Sequence, residues 1–144
     1  MKTKTFLIGV ALLALSCATQ NKIINLPKAE REKITNRQFD HSYNKVFVSV
    51  MTVFENRGFT IRNTDKETGL IDTDYKSGHN IIWGDYKNKM NARIIKLDDN
   101  SCIVKLNPYI ETKTFGSWEK VELRLKDKEV FDKYFNLIQE ELNY

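Results

Sequence analysis

The chain has 144 residues, 41% apolar and 29% charged, with a formal net charge of +4. That length holds one domain, and the apolar share is enough for a core, which excludes a wholly disordered chain. Six glycines and two prolines exclude collagen-like or low-complexity architecture. A pI near 9.0 invites nucleic acid or an anionic membrane as partner until the charges are located.

The N-terminus reads MKTKTFLIGVALLALSC. Lys2 and Lys4 precede ten apolar or glycine residues, Phe6 to Leu15. A bilayer span needs about 20 helical residues, so this run fits the h-region of a secretory signal instead. It ends in Ala14, Leu15, Ser16 and Cys17, which resembles a bacterial lipobox. The resemblance implies cleavage between Ser16 and Cys17 and lipid on the Cys17 sulfur and new N-terminus. One acyl chain binds a membrane marginally, and several hold it firmly. Residues 1–16 are thus expected to be a signal peptide and 17–34 a lipidated, flexible tether. Ala18 is not the aspartate associated with inner-membrane retention in enteric bacteria, which favours the outer membrane by analogy.

Removing the leader relocates the charge. Residues 1–16 hold two lysines and no acids, and residues 17–38 carry a net +3. Residues 39–144, with 16 basic and 17 acidic groups, carry a net −1. Basicity therefore belongs to the address and the tether, and no nucleic-acid partner is expected. With Cys17 lipidated, Cys102 is the one thiol left, so no disulfide partner is expected either.

A single domain is expected over 35–144. Lys33–Phe39 suggests a short strand, and Asp40 or Ser42 can cap a helix. Tyr43, Val46, Phe47, Val50, Val53 and Phe54 follow helical spacing up to Gly58, a C-terminal stop. The rival is a strand, since VFVSVMTVF is rich in β-branched residues; length, cap and glycine favour helix. Phe59 and Ile61 begin a strand, Asp65–Gly69 turns, and Ile71, Thr73 and Tyr75 alternate in the next. Residues 76–89 have turn residues around an apolar middle. Met90–Leu97 and Cys102 to about Thr112 form a hairpin across Asp98–Ser101. Val121, Leu123 and Leu125 alternate as a last strand, and Asp127 caps a helix carrying Phe131, Tyr134, Phe135, Ile138 and Leu142. The order β-α-β-β-β-β-β-α predicts an α+β fold: an antiparallel sheet of five to six strands with two helices on one face.

Phe39-Asp40, Tyr43, Val46-Phe47, Gly58-Phe59-Thr60-Ile61 and Asp65-Lys66-Glu67-Thr68-Gly69-Leu70-Ile71 form a pattern. It resembles small envelope lipoproteins with BamC-like, helix-grip domains. The resemblance covers about 105 residues and implies a fold more than a function. It brings no catalytic residues, so a non-enzymatic envelope protein is expected.

Chemistry is otherwise sparse. His41 and His79 have no partner at metal-like spacing, so no metal site is expected. Asp72 and Asp74 would share one strand face, a weak acid–base or cation signal. Cys102, between Ser101 and Ile103, reads as a small buried residue. Ile81, Ile82, Trp83 and Tyr86 form a possible interaction surface, because exposed aromatics anchor interfaces. An alternative is a hydrophobic-ligand cavity lined by Phe54, Phe131 and Phe135. No cofactor is expected beyond the covalent lipid on Cys17. The expected partners are the membrane and envelope proteins, in a lipid-anchored protein of the bacterial envelope.

Overall fold

The structure, a computed structural model, describes residues 22–81 and 84–144. Ser16 and Cys17 lie outside the described residues, as do Ile82 and Trp83.

The fold is α+β, as expected, around one long hairpin. Strands β5 (Gly84–Lys96) and β6 (Cys102–Thr114) are 13 residues each and pair from Tyr86 opposite Thr112 to Lys96 opposite Cys102. Asp98 closes their turn, its carboxylate accepting from the Asn100 backbone N–H and the Ser101 hydroxyl. The other strands flank this hairpin in a seven-stranded antiparallel sheet. β1 (Asn36–Phe39) and β7 (Ser117–Lys120) share the β6 side. β3 (Leu70–Thr73) and β4 (Lys76–Asn80) share the β5 side, and β2 (Ile61–Asp65) extends β3.

Among the described residues there are three α-helices rather than two: α1 (Lys28–Thr35), α2 (Tyr43–Asn56) and α3 (Lys128–Leu142). The helical reading of VFVSVMTVF is correct. Val46, Val50, Val53 and Phe54 are buried at helical spacing, while Val48 faces solvent. The helix ends as Gly58 foretold: at φ +77, the Gly58 N–H donates to Glu55 O and the Phe59 N–H to Phe54 O. The Phe54 and Phe59 rings meet 6.2 Å apart, completing a Schellman stop with its hydrophobic contact. Ser42 holds the N-cap position through its carbonyl alone.

The α2 stripe joins Phe131, Phe135, Ile138 and Leu142 of α3 over Ile71, Met90, Ala92, Ile94, Val104 and Leu106. Period-3.6 stripes thus cover a period-2 face. The opposite sheet face carries Asn91, Arg93, Lys105 and Asn107.

Four expectations need correction. The stretch expected as tether is structured from Lys22 onward. Ile23 and Ile34 are buried in the core, the Ile23 N–H donates to Leu123 O, and Lys22 bridges Arg124. Residues 121–125 form no strand in the sheet, because that segment peels from β6 after Val121 to pair with Lys22–Ile23. The strand sits earlier, at Ser117–Lys120. Residues 76–80 and 84–89, expected as turn residues around an apolar middle, form a hairpin arm, bringing the strand count among the described residues to seven. Finally, β3 stops at Thr73, so Asp72 and Asp74 do not share one strand.

Two irregularities have clear causes. Between β3 and β4 the register against β5 slips by one residue. Thr73 seals the slip: its hydroxyl accepts from the Met90 N–H at 3.1 Å, and its N–H donates to Asn91 Oδ1. Pro108 lies inside β6, where proline should cost a ladder bond. However, residues 106–110 have neither β1 nor β7 beside them. Ile110 turns its carbonyl to that side, toward the Val121 N–H. Pro108, two residues earlier, therefore points its missing N–H into the same gap.

Two substitutions check these contacts. At Gly69, φ is +76 and an added Cβ would collide with Ile94 O. Gly69→Ala is therefore expected to cost about 2 kcal/mol or more in urea denaturation. Ile23→Ala should cost a similar ~2 kcal/mol; an unchanged midpoint would return Ile23 to the tether.

Candidate interaction surface

The far half of the central hairpin runs past the helices. There β4, β5, β6 and β7 make a four-stranded wing in which no described side chain from Lys76 to Lys89 or Tyr109 to Lys120 is buried. An uncovered sheet needs another source of cohesion. Alternation places Tyr75, Lys87, Lys89, Tyr109, Glu111, Trp118 and Lys120 together on the outer face. Tyr75 and Tyr109 meet edge-to-face at 6.1 Å. The Lys87 ammonium lies 4.7 Å from the ring centroids of both Tyr75 and Trp118. Lys89 lies over Tyr75 and Tyr109, and Lys120 over Tyr109. Each such contact contributes about 0.5–1 kcal/mol at exposed sites.

Glu111 knits this lattice. It ion-pairs with Lys87 and accepts from the Tyr75 hydroxyl at 3.2 Å. The Lys87 hydrogen bond in particular holds its carboxyl below the usual carboxylate range. Burial, with Glu111 adding, pushes the Tyr75 phenol up.

The wing ends in two apolar tips. Ile81, in the β4–β5 turn, is 98% exposed. Phe115, in the β6–β7 turn, is fully exposed and held at φ +49. Tyr86 belongs to the helix-side face and lies across Gly78, directly opposite it. A Cβ at Gly78 would come within 2.5 Å of the Tyr86 ring, so glycine is what lets the ring lie down. The predicted surface was therefore partly placed: Ile81 is at a tip, Tyr86 leans on its neighbour strand, and Ile82 and Trp83 lie outside the described residues. Phe115, Trp118 and the tyrosine–lysine lattice were missed. Only strand register could have gathered them, since they come from five separate stretches.

The remaining candidates resolve as structure. His79 is in β4 rather than a loop, its Nδ1 2.8 Å from Asp85 Oδ1. His41 offers its carbonyl to the Cys102 thiol at 3.8 Å. Cys102 is buried, and desolvation pushes its pKa to about 11, the opposite of an activated nucleophile. Asp72 faces Arg62 at 3.9 Å. Phe54 is buried against Phe59 and Tyr134, and Phe135 against Phe39. Phe131 lines a groove of about 530 Å³ beside the gap in β6.

Comparison with known proteins places this architecture in a class. A family model described as "Outer membrane protein assembly factor BamC-like C-terminal domain" matches residues 28–112. The chain belongs to this family, as the pattern from Phe39 to Ile71 indicated. The match starts at Lys28, the first residue of α1, so α1 is part of the family unit. A crystal structure of a DUF4468 family protein from Bacteroides ovatus is similar at 12% identity and a TM-score of 0.45, over 76% of this chain and 85% of that one. No curated protein matches.

The Glu111 lattice has a pH signature. Its lowered pKa means its contribution is full at neutral pH and is lost as pH falls below the ordinary value of about 4.3. The Tyr75 and Trp118 ring signals should shift in NMR with a midpoint below that value. A midpoint at or above it would show that Lys87 and Tyr75 do not hold the carboxylate.

Proposed function

We propose that this protein is a lipid-anchored component of the bacterial cell envelope, at the outer membrane, acting through protein contacts rather than catalysis. Cys17 carries the lipid after cleavage at Ser16–Cys17. The wing and its tips are the contact surface, with Ile81 and Tyr86 in the β4–β5 hairpin and Ile82 and Trp83 between them in sequence.

The observation that carries this reading is the uncovered wing in a member of an assembly-factor family. A sheet extended beyond its own core, with Ile81 and Phe115 at its ends, gives a partner apolar anchors on a polar, positively charged support. Its lattice is held by cation–π and ion-pair contacts, so the surface is preformed, which lowers the ordering cost of association. The expected partners are envelope proteins concerned with assembly or organisation.

Two measurements test the two halves. Radiolabelled palmitate should enter the protein, and Cys17→Ser should abolish labelling and membrane retention; a mutant that still sediments with membranes sinks the anchor. A photo-crosslinker at Ile81 should capture resident envelope proteins in cells, and one at Glu140 on α3 should not. Adding Phe115→Asp to the Ile81 probe should lower that capture at least tenfold without changing the Tm, because the side chain is fully exposed. Equal capture from both probe sites would reject the wing as the contact surface.

A further inference from the structure

The groove beside β6 has a charge imbalance that the fold does not explain. Its floor is the outer face of the central hairpin, where Asn91 stands opposite Asn107 and Arg93 opposite Lys105. Like charges directly opposite on antiparallel strands repel and destabilise the sheet. Neither Arg93 nor Lys105 has an acidic partner among the described residues. Arg31, at the rim, donates to the carbonyl of Ile24 at 3.1 Å but meets no carboxylate. The two acids lining the groove are already engaged, Asp72 with Arg62 at 3.9 Å and Glu122 with Lys120 at 3.4 Å. Of the four cations and two acids that line the opening, Arg31, Arg93 and Lys105 have no ion-pair partner among the described residues.

The rim shows what would answer them. It is formed by Ile23, Ile24 and Arg31 together with the adjoining segment Lys120–Leu123. Ile24 is more than half exposed there, although Ile23 beside it is buried. Lys22, next in the chain, is held to Arg124. Five peptide links separate Lys22 from Cys17, a span of at most about 18 Å. A lipid on Cys17 therefore keeps this rim close to the bilayer surface however the domain turns. The eighteen-residue flexible tether expected from sequence would have imposed no such constraint.

We infer that the Arg31–Arg93–Lys105 groove docks the domain on the membrane by taking the phosphate of an anionic lipid headgroup, with Ile24 entering the interface. The inference rests on the proposed anchor for its geometry. Guanidinium groups suit phosphate because their forked donors can engage two oxygens at once. The cross-strand repulsion between Arg93 and Lys105 is relieved when the anion binds. Basic residues near a membrane surface contribute about 1 kcal/mol each, so neutralising two should weaken binding about 30-fold.

The test uses the mature chain with Cys17→Ser, so that binding is read without the anchor. Sedimentation with vesicles of equal parts phosphatidylglycerol and phosphatidylcholine should retain the protein, and phosphatidylcholine alone should not. Arg93→Gln with Lys105→Gln should reduce retention about 30-fold and leave the Tm unchanged or raised. Lys66→Gln with Lys133→Gln removes the same charge from exposed positions outside the groove and should leave retention nearly intact. Equal loss in both double variants would overturn the site in favour of net charge. Inorganic phosphate that shifts the Arg93 and Lys105 amide signals while vesicles retain nothing would assign a free-anion site and overturn the membrane. Failure on vesicles leaves palmitate labelling of Cys17 in cells untouched, so the anchor and the groove fail separately.

Discussion

Everything in this fold is measured off the pairing of β5 with β6. The hairpin is about twice as long as the helices can cover, so one register serves two purposes. Near its turn, alternate residues Met90, Ala92, Ile94, Val104 and Leu106 meet the stripes of α2 and α3. Farther out the same alternation continues with no helix above it, and the outer face becomes a lattice of tyrosine, tryptophan and lysine. A one-residue slip would turn both halves over at once, moving the core face to solvent and the lysines inward. The core therefore fixes the geometry of a surface that it never touches.

The short strands add to that hairpin and leave openings where they stop. On the β6 side, pairing with β1 reaches only Lys105, opposite β1's first residue Asn36, and pairing with β7 starts only at Glu111, opposite β7's last residue Lys120. Pro108 lies between them, and the segments around Ile23 and Leu123 close over the gap. This junction ties the chain's early residues to its late ones. It also builds the groove whose floor is Arg93 and Lys105. On the β5 side, the Thr73 hydroxyl replaces a ladder acceptor where the register slips. Both irregularities redirect the sheet from core to wing.

Function follows from that division. Membership of the BamC-like family connects the domain with outer-membrane assembly factors, and the wing is the contact surface proposed for it. Its cohesion comes from charged and aromatic groups that also face solvent. The residues that hold the wing in shape are thus the ones a partner would meet. Cys102, by contrast, is silenced by burial, and the histidines are spent on a carboxylate and a helix entrance.

Local pattern made much of this legible. The 3.6 period of Val46, Val50, Val53 and Phe54, the stop at Gly58 and the stripe from Phe131 to Leu142 report contacts within one element. So does the turn at Asp98–Ser101, which closes through its own side chains. The family pattern rests on the same local positions. The apolar run before Cys17 is likewise a local signal, and it remains the basis of the proposed anchor. What sequence misjudged was long-range. Ile23 looks like a linker residue because its partners, Leu123 and Phe131, lie about a hundred positions away. Val121 and Leu123 alternate as a strand does, but they face Lys22 and Ile23 instead of a ladder. The wing lattice draws on Tyr75, Lys87, Tyr109, Glu111 and Trp118, and the groove on Arg31, Arg93 and Lys105. Periodicity assigns a residue to a face of its own strand. Only the register between strands decides which residues from distant strands share that face, and therefore where charge and aromatic surface gather.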